Sequence, residues 1–160
     1  LCREGRELLA GRKYPEAELV FCSPLIRCVE TARIVYPRRS LVEVEGFAEC
    51  DFGEFENKNY IELSGSAKYA EWVASGGTLP FPGGETVENF KKRSAEAFKE
   101  ILKKYSRAKS AAAVVHNGTI MAVMEALSAE KKSYFDWGVE CGGGYVLRVD
   151  GFSLAVEGRL

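Results

Sequence analysis

Apolar positions along the chain fall into short solid runs and longer helical stripes, and the two kinds alternate. Residues 111–115 (AAAVV) are a solid run of small and β-branched residues. Such a run reads as a strand buried on both faces, as in a parallel sheet. From Thr119 the spacing changes, and Ile120, Val123, Met124 and Leu127 mark one face of a helix. His116, Asn117 and Gly118 lie between the two patterns, so a strand, a tight turn and a helix follow one another. The same succession occurs upstream. Residues 17–22 (AELVFC) read as a strand, and Ser23-Pro24 opens a helix that runs to about Val35. In that reading serine is the N-cap, proline takes the first helical position, and Leu25, Ile26, Val29 and Ile34 face inward. Residues 1–13 form a further short helix with Leu8 and Leu9 inward and a stop at Gly11.

The remaining segments complete an alternating α/β pattern. Residues 41–45 (LVEVE) alternate and read as a half-exposed strand. Residues 61–85 are rich in glycine, serine and proline and read as a long loop, of the kind that is either functional or mobile. Thr86 caps the clearest helix, with Val87, Phe90, Ser94, Phe98, Ile101 and Leu102 on its apolar face. Its basic face reads as solvated, and no chemistry is assigned to it. Two strands, Tyr145–Val149 and Phe152–Glu157, flank Asp150-Gly151, a hairpin signal. Strands alternating with helices predict an α/β three-layer sandwich with a mostly parallel central sheet and a C-terminal hairpin.

Composition narrows the function. A chain of 160 residues is one domain with room for a real core. A net charge of −1 leaves no basic stripe, so nucleic acid is not expected as a partner. No apolar run has membrane-spanning length, and the five cysteines are odd in number, irregularly spaced and without a C-x-x-C pair. They read as reduced thiols of a cytoplasmic protein, and zinc is not expected.

Three places carry candidate chemistry. His116, the only histidine, ends a strand just before a helix N-terminus, where unpaired N–H groups and the helix dipole favour anions. It is either a ligand-binding group there or a histidine hydrogen-bonded in a loop. Arg27 lies in the first turn of its helix, where the dipole disfavours a cation. Either it pairs with Glu30 or a neighbour, or it meets an anionic ligand. Residues 46–60 (GFAECDFGEFENKNY) mix four carboxylates with four aromatic residues. This is either a packed loop that raises a carboxylate's proton affinity or an acidic surface loop with an apolar anchor.

Together these segments resemble the histidine phosphatase superfamily, the phosphoglycerate-mutase-like fold. Cys22-Ser23-Pro24-Leu25-Ile26-Arg27 with Glu30-Thr31-Ala32 resembles its S-P-L-x-R-x-x-E-T-A segment. Residues 49–56 (ECDFGEFE) resemble E-x-D-F-G-x-x-E, and Pro82-Gly83-Gly84-Glu85-Thr86 matches P-G-G-E-S/T. Val115-His116-Asn117-Gly118 resembles its second histidine segment, with Asn117 in place of a glycine; Asn57 replaces another. The style is closest to small bacterial α-ribazole phosphatase-like proteins. The resemblance implies hydrolysis of a small phosphorylated substrate through a phosphohistidine, without metal or cofactor. In it Glu49 is the general acid, His116 and Arg27 bind the phosphoryl group, and Ser23 and Asn117 join them as substrate-binding residues. The family's nucleophile is another histidine, in an Arg-His-Gly segment after the first strand, and residues 1–160 do not contain it. The chain opens on Leu1 within the pattern, so the expectation is a single domain truncated at its N-terminus. On the order of 20 residues would supply a strand of about 5–6 and its phosphate loop. A mutase of the family and a degenerate phospho-ligand-binding module remain the alternatives.

Overall fold

The computed structural model describes residues 1–160. Helix α1 (Arg3–Gly11) precedes strand β1 (Leu19–Cys22), helix α2 (Ile26–Val35) and strand β2 (Leu41–Glu43). Short helices α3 (Tyr60–Leu63) and α4 (Ala67–Ala74) lead to the long helix α5 (Val87–Lys104). Strand β3 (Ala111–Val114), helix α6 (Asn117–Leu127) and the hairpin β4 (Tyr145–Asp150) and β5 (Ser153–Arg159) follow.

Three strands form a parallel sheet in the order β2-β1-β3, and the hairpin is a separate antiparallel pair. The expected α/β class, parallel sheet and C-terminal hairpin are all present. Pleating divides β1 between the sheet faces. Val20 and Cys22 pack with Val29 and Ala32 of α2, while Phe21 meets Tyr105 at the end of α5. On the hairpin side, Val123, Met124 and Leu127 of α6 close over Leu154 and the fully buried Trp137.

Within residues 1–160, β1 rather than residues 111–115 is the strand buried on both faces. In the same span β2 and β3 are the two edges of this sheet, and Ala111 and Ala113 of β3 are exposed. Small size and β-branching mark a strand but do not say whether it lies inside or at the edge of a sheet. Three further expectations shift. Residues 61–85 are not a continuous loop: Asn59 makes a capping box for α3, and Ser66 caps α4. Helix α2 starts at Ile26, with Leu25 at the cap position, so Ser23 and Pro24 lie ahead of the helix. Cys28 and Ala32 are buried with Val29, while Ile26 is 70% exposed. Finally, the hairpin turn is Gly151-Phe152, since Asp150 pairs with Ser153. Gly151 at φ 58° fits the first central position of a type II′ turn.

Candidate active site

The mouths of β1 and β3 lie side by side because the strands are parallel neighbours, with Cys22 opposite Val114. The chain leaves β1 through Ser23 and β3 through His116, so both residues sit on the side where open α/β sheets bind ligands. Ser23 Oγ lies 2.7 Å from His116 Nε2 and also accepts from the Leu25 backbone N–H at 3.3 Å. Arg27 Nε donates to His116 Nδ1 at 3.2 Å. One tautomer satisfies both ring contacts: Nε2 carries the proton and gives it to Ser23, and Nδ1 accepts from Arg27. Burial, aided by the Arg27 and Arg93 charges, lowers the His116 pKa to about 4. Glu49 Oε2 at 4.0 Å from Nδ1 does not offset this, so the ring is neutral at pH 7.

Arg27 is not held by Glu30. That carboxylate pairs instead with Arg6 Nη2 at 3.0 Å. Beyond its bond to His116, Arg27 donates to no group of the chain, and its two terminal nitrogens stay available to a ligand. An unpaired guanidinium fork at a helix start is a planar anion clamp.

Glu49 completes the group. Its carboxyl is mostly buried, and burial raises its pKa against the opposing Cys50 N–H bond (3.0 Å) and the Arg27 and Arg93 charges. Of the two readings of residues 46–60, the packed loop is the one formed: Phe47 and Phe55 are buried and Glu49 has the raised proton affinity. Tyr60 is the exception, exposed on α3.

The two further residues expected to bind ligand make contacts within the chain. Ser23 is fully buried behind the imidazole, where it orients His116 rather than meeting solvent. Asn117 is exposed, but its Oδ1 accepts the Val139 backbone N–H at 2.9 Å, which ties the start of α6 to the segment before the hairpin.

Sequence reading passed over several residues that build the site. A Cβ on Gly118 would fall 2.5 Å from Glu49 Oε1, so only glycine lets the carboxyl lie against the start of α6. Tyr134 donates its hydroxyl to Gly118 O at 3.3 Å, and burial with the nearby Glu49 and Cys50 pushes its pKa up to about 12. The acidic loop is strapped to the start of α5. Glu54 N donates to Pro82 O at 2.8 Å, and Glu85 N donates to Asp51 O at 3.0 Å. Added Cβ atoms on Gly53 or Gly84 would meet backbone at 2.3 Å, so both motif glycines exist for this close approach. Arg93, on the helix face expected to be merely solvated, reaches back to the same loop.

An arginine, a histidine and a carboxyl thus converge at the strand ends of a parallel sheet, an arrangement suited to an anionic ligand. The family profile for the histidine phosphatase superfamily (branch 1) matches residues 3–157, and the chain belongs to that superfamily. No curated protein sequence matches it. Among solved structures, the α-ribazole phosphatase of Shigella flexneri aligns with TM-score 0.81 at 21% identity, covering 96% of this chain and 78% of its own. A phosphoglycerate mutase from Thermus thermophilus aligns over 100% of this chain and 83% of its own, at 27% identity and TM-score 0.69. A mutant phosphoserine phosphatase from Entamoeba histolytica, in complex with phosphoserine, aligns with TM-score 0.76 at 19% identity, covering 98% of this chain and 80% of its own.

Proposed function

We propose that this protein hydrolyses small phosphomonoesters through a phosphohistidine intermediate. The observation that carries the reading is the meeting of three groups: the free Arg27 fork, the neutral His116 and Glu49, whose proton affinity burial raises. Arg27 takes the phosphoryl oxygens. An arriving phosphate dianion raises the proton affinity of His116, so that Nδ1 gains a proton and donates to the phosphoryl group. Glu49 protonates the leaving oxygen, then takes a proton from the water that attacks the phosphohistidine.

His116 is not the nucleophile in this reading. Its Nε2 is turned inward to Ser23, and its Nδ1 faces Arg27, the lateral position of a phosphate-binding donor. The attacking imidazole then belongs to a histidine outside residues 1–160, as the family resemblance implies. The full-length protein should become labelled by a phosphate ester in an acid-labile, base-stable bond. Glu49→Gln should lower kcat/KM for an ester with a poor leaving group by about 10²–10⁴-fold and spare folding. Turnover by residues 1–160 alone, with labelling abolished by His116→Ala, would make His116 the nucleophile and refute this assignment.

The Thermus neighbour, a phosphoglycerate mutase, supports a second reading in which the phosphoryl group returns to an organic acceptor. Stoichiometric release of inorganic phosphate decides for the hydrolase. A phospho-ligand-binding module would show binding with neither label nor release.

A further inference from the structure

The loop that carries Glu49 has an unusual support. All four backbone carbonyls from Gly46 to Glu49 are taken by side chains of the two helices beneath it. Arg93 Nη1 donates to Gly46 O (3.1 Å) and Ala48 O (2.9 Å), and Arg93 Nη2 donates to Glu49 O (2.9 Å). Thr119 Oγ1 on α6 donates to Phe47 O at 3.3 Å. The remaining donors of Arg93 go to Glu85: Nη2 to Oε1 at 2.5 Å and Nε to Oε2 at 3.1 Å. All five guanidinium N–H groups are thereby used. Glu85 Oε1 also accepts the Asp51 backbone N–H at 3.0 Å. The pair thus grips the main chain on both sides of Glu49, and Gly46 lets the loop approach α5, where a Cβ would meet Ala97 Cβ at 2.5 Å.

We propose that Arg93, held by Glu85, is a positioning residue that fixes where the Glu49 carboxyl stands relative to the leaving oxygen. This rests on Glu49 being the proton donor. Lysine has one compact ammonium and cannot reproduce a five-bond planar fork. Once the fork is lost, the Glu49 backbone is free to shift, and a shift of about 1 Å can cost on the order of 10²-fold in rate.

The test compares kcat/KM of the full-length protein for two substrates. An alkyl monophosphate needs its leaving oxygen protonated; p-nitrophenyl phosphate releases a stable anion without help. Arg93→Lys should lower kcat/KM about 10²-fold on the alkyl ester and no more than about threefold on the aryl ester. On a Glu49→Gln background it should add no further loss on the alkyl ester. Glu85→Gln, which keeps one acceptor oxygen, should show the same selectivity at about tenfold. If Arg93→Lys fails to fold by circular dichroism, Glu85→Gln decides by the same ratio. Equal losses on both esters, or a full additional loss on the Glu49→Gln background, overturn the positioning role. A Glu49→Gln variant that itself lacks selectivity removes the proton-donor reading instead, and the positioning role falls with it.

Discussion

Replacing Gly118 by alanine sets two physical effects against each other. Gly118 lies in the first turn of α6 and does not need a positive φ. By backbone propensity alone, alanine in a helix gains up to about 1 kcal/mol over glycine. The new methyl, however, would stand 2.5 Å from Glu49 Oε1 and 3.2 and 3.3 Å from Phe90 Cζ and Cε1. Ordinary contact starts near 3.4 Å, so the carboxyl must retreat by about 0.9 Å, the difference of the two distances, while Phe90 yields only 0.1–0.2 Å. A carboxyl at the end of a flexible side chain retreats at little cost, so the fold tolerates the change. The chemistry does not, because a proton donor displaced by about 1 Å loses on the order of 10²-fold. The variant should keep its Tm within about 4 °C of the parent, the shift expected for ~1 kcal/mol in a chain of this size. Its kcat/KM on an alkyl monophosphate should fall on the order of 10²-fold. Calorimetry and steady-state kinetics measure the two quantities. An alanine variant with unchanged turnover refutes the placement of Glu49 against the helix start. One with a Tm lower by about 10 °C or more, well beyond the shift for ~1 kcal/mol, refutes the claim that the carboxyl can move away cheaply.

Other consequences are open to simple measurements. Ser23→Ala leaves the Nε2–H of a buried imidazole without its acceptor and should cost about 1–3 kcal/mol in denaturant unfolding; a loss below ~0.5 kcal/mol would show that the bond is not what holds the ring. His116 binds a proton near pH 6.5 when unfolded but only near pH 4 when folded, so the unfolded state takes up more protons in that window. Stability should therefore rise with pH from about 4 to 6.5, by about 3 kcal/mol from this group, and His116→Gln should flatten that slope in unfolding curves taken across the range. Inorganic phosphate at about 100 times its Kd should stabilise the protein by ~2.7 kcal/mol; Arg27→Ala should remove most of that thermal shift, and an undiminished shift would place the anion elsewhere.

The central elements could be read from the chain because their signals are local. A solid apolar run, a change to helical spacing and the threonine at the start of α5 each act within a few residues, and α2, α5, β3 and α6 all formed near the expected bounds. Arg27 was legible as a cation at a helix start and His116 as the one histidine at a strand end, whereas Glu49 stood out from the other three carboxylates of its loop only through the family resemblance. What the sequence concealed depends on partners far away in the chain. Ser23 reads from the sequence as a helix cap and, through the resemblance, as a substrate-binding residue, and only the fold brings His116, at the end of the neighbouring strand, to its hydroxyl. Arg93 sat among lysines on an apparently solvated face, and only the folded loop brings three carbonyls to it. A trace of that role was visible in Pro82-Gly83-Gly84-Glu85, since a carboxylate one residue ahead of the Thr86 cap, and so outside the helix, has a task other than helix pairing.

The strap between Glu54 and Pro82 has a consequence for how this protein can change. Two backbone segments clasped through Gly53 and Gly84 turn residues 55–81 into an excursion that leaves and returns at one fixed point. The aromatic residues Phe55, Tyr69, Trp72 and Phe81 pack together in that excursion and share a core with Phe90 of α5 and Ala122 of α6. Doubling the length of such a loop costs only about 0.6 kcal/mol in closure entropy. The exposed stretches of the excursion can therefore be lengthened or trimmed at little cost, while the clasp and the packing of Phe55, Leu63 and Phe81 on Phe90 and Ala122 keep Glu49 in register. Variation among such proteins should concentrate there, and an engineer seeking a new substrate range would start between the two glycines.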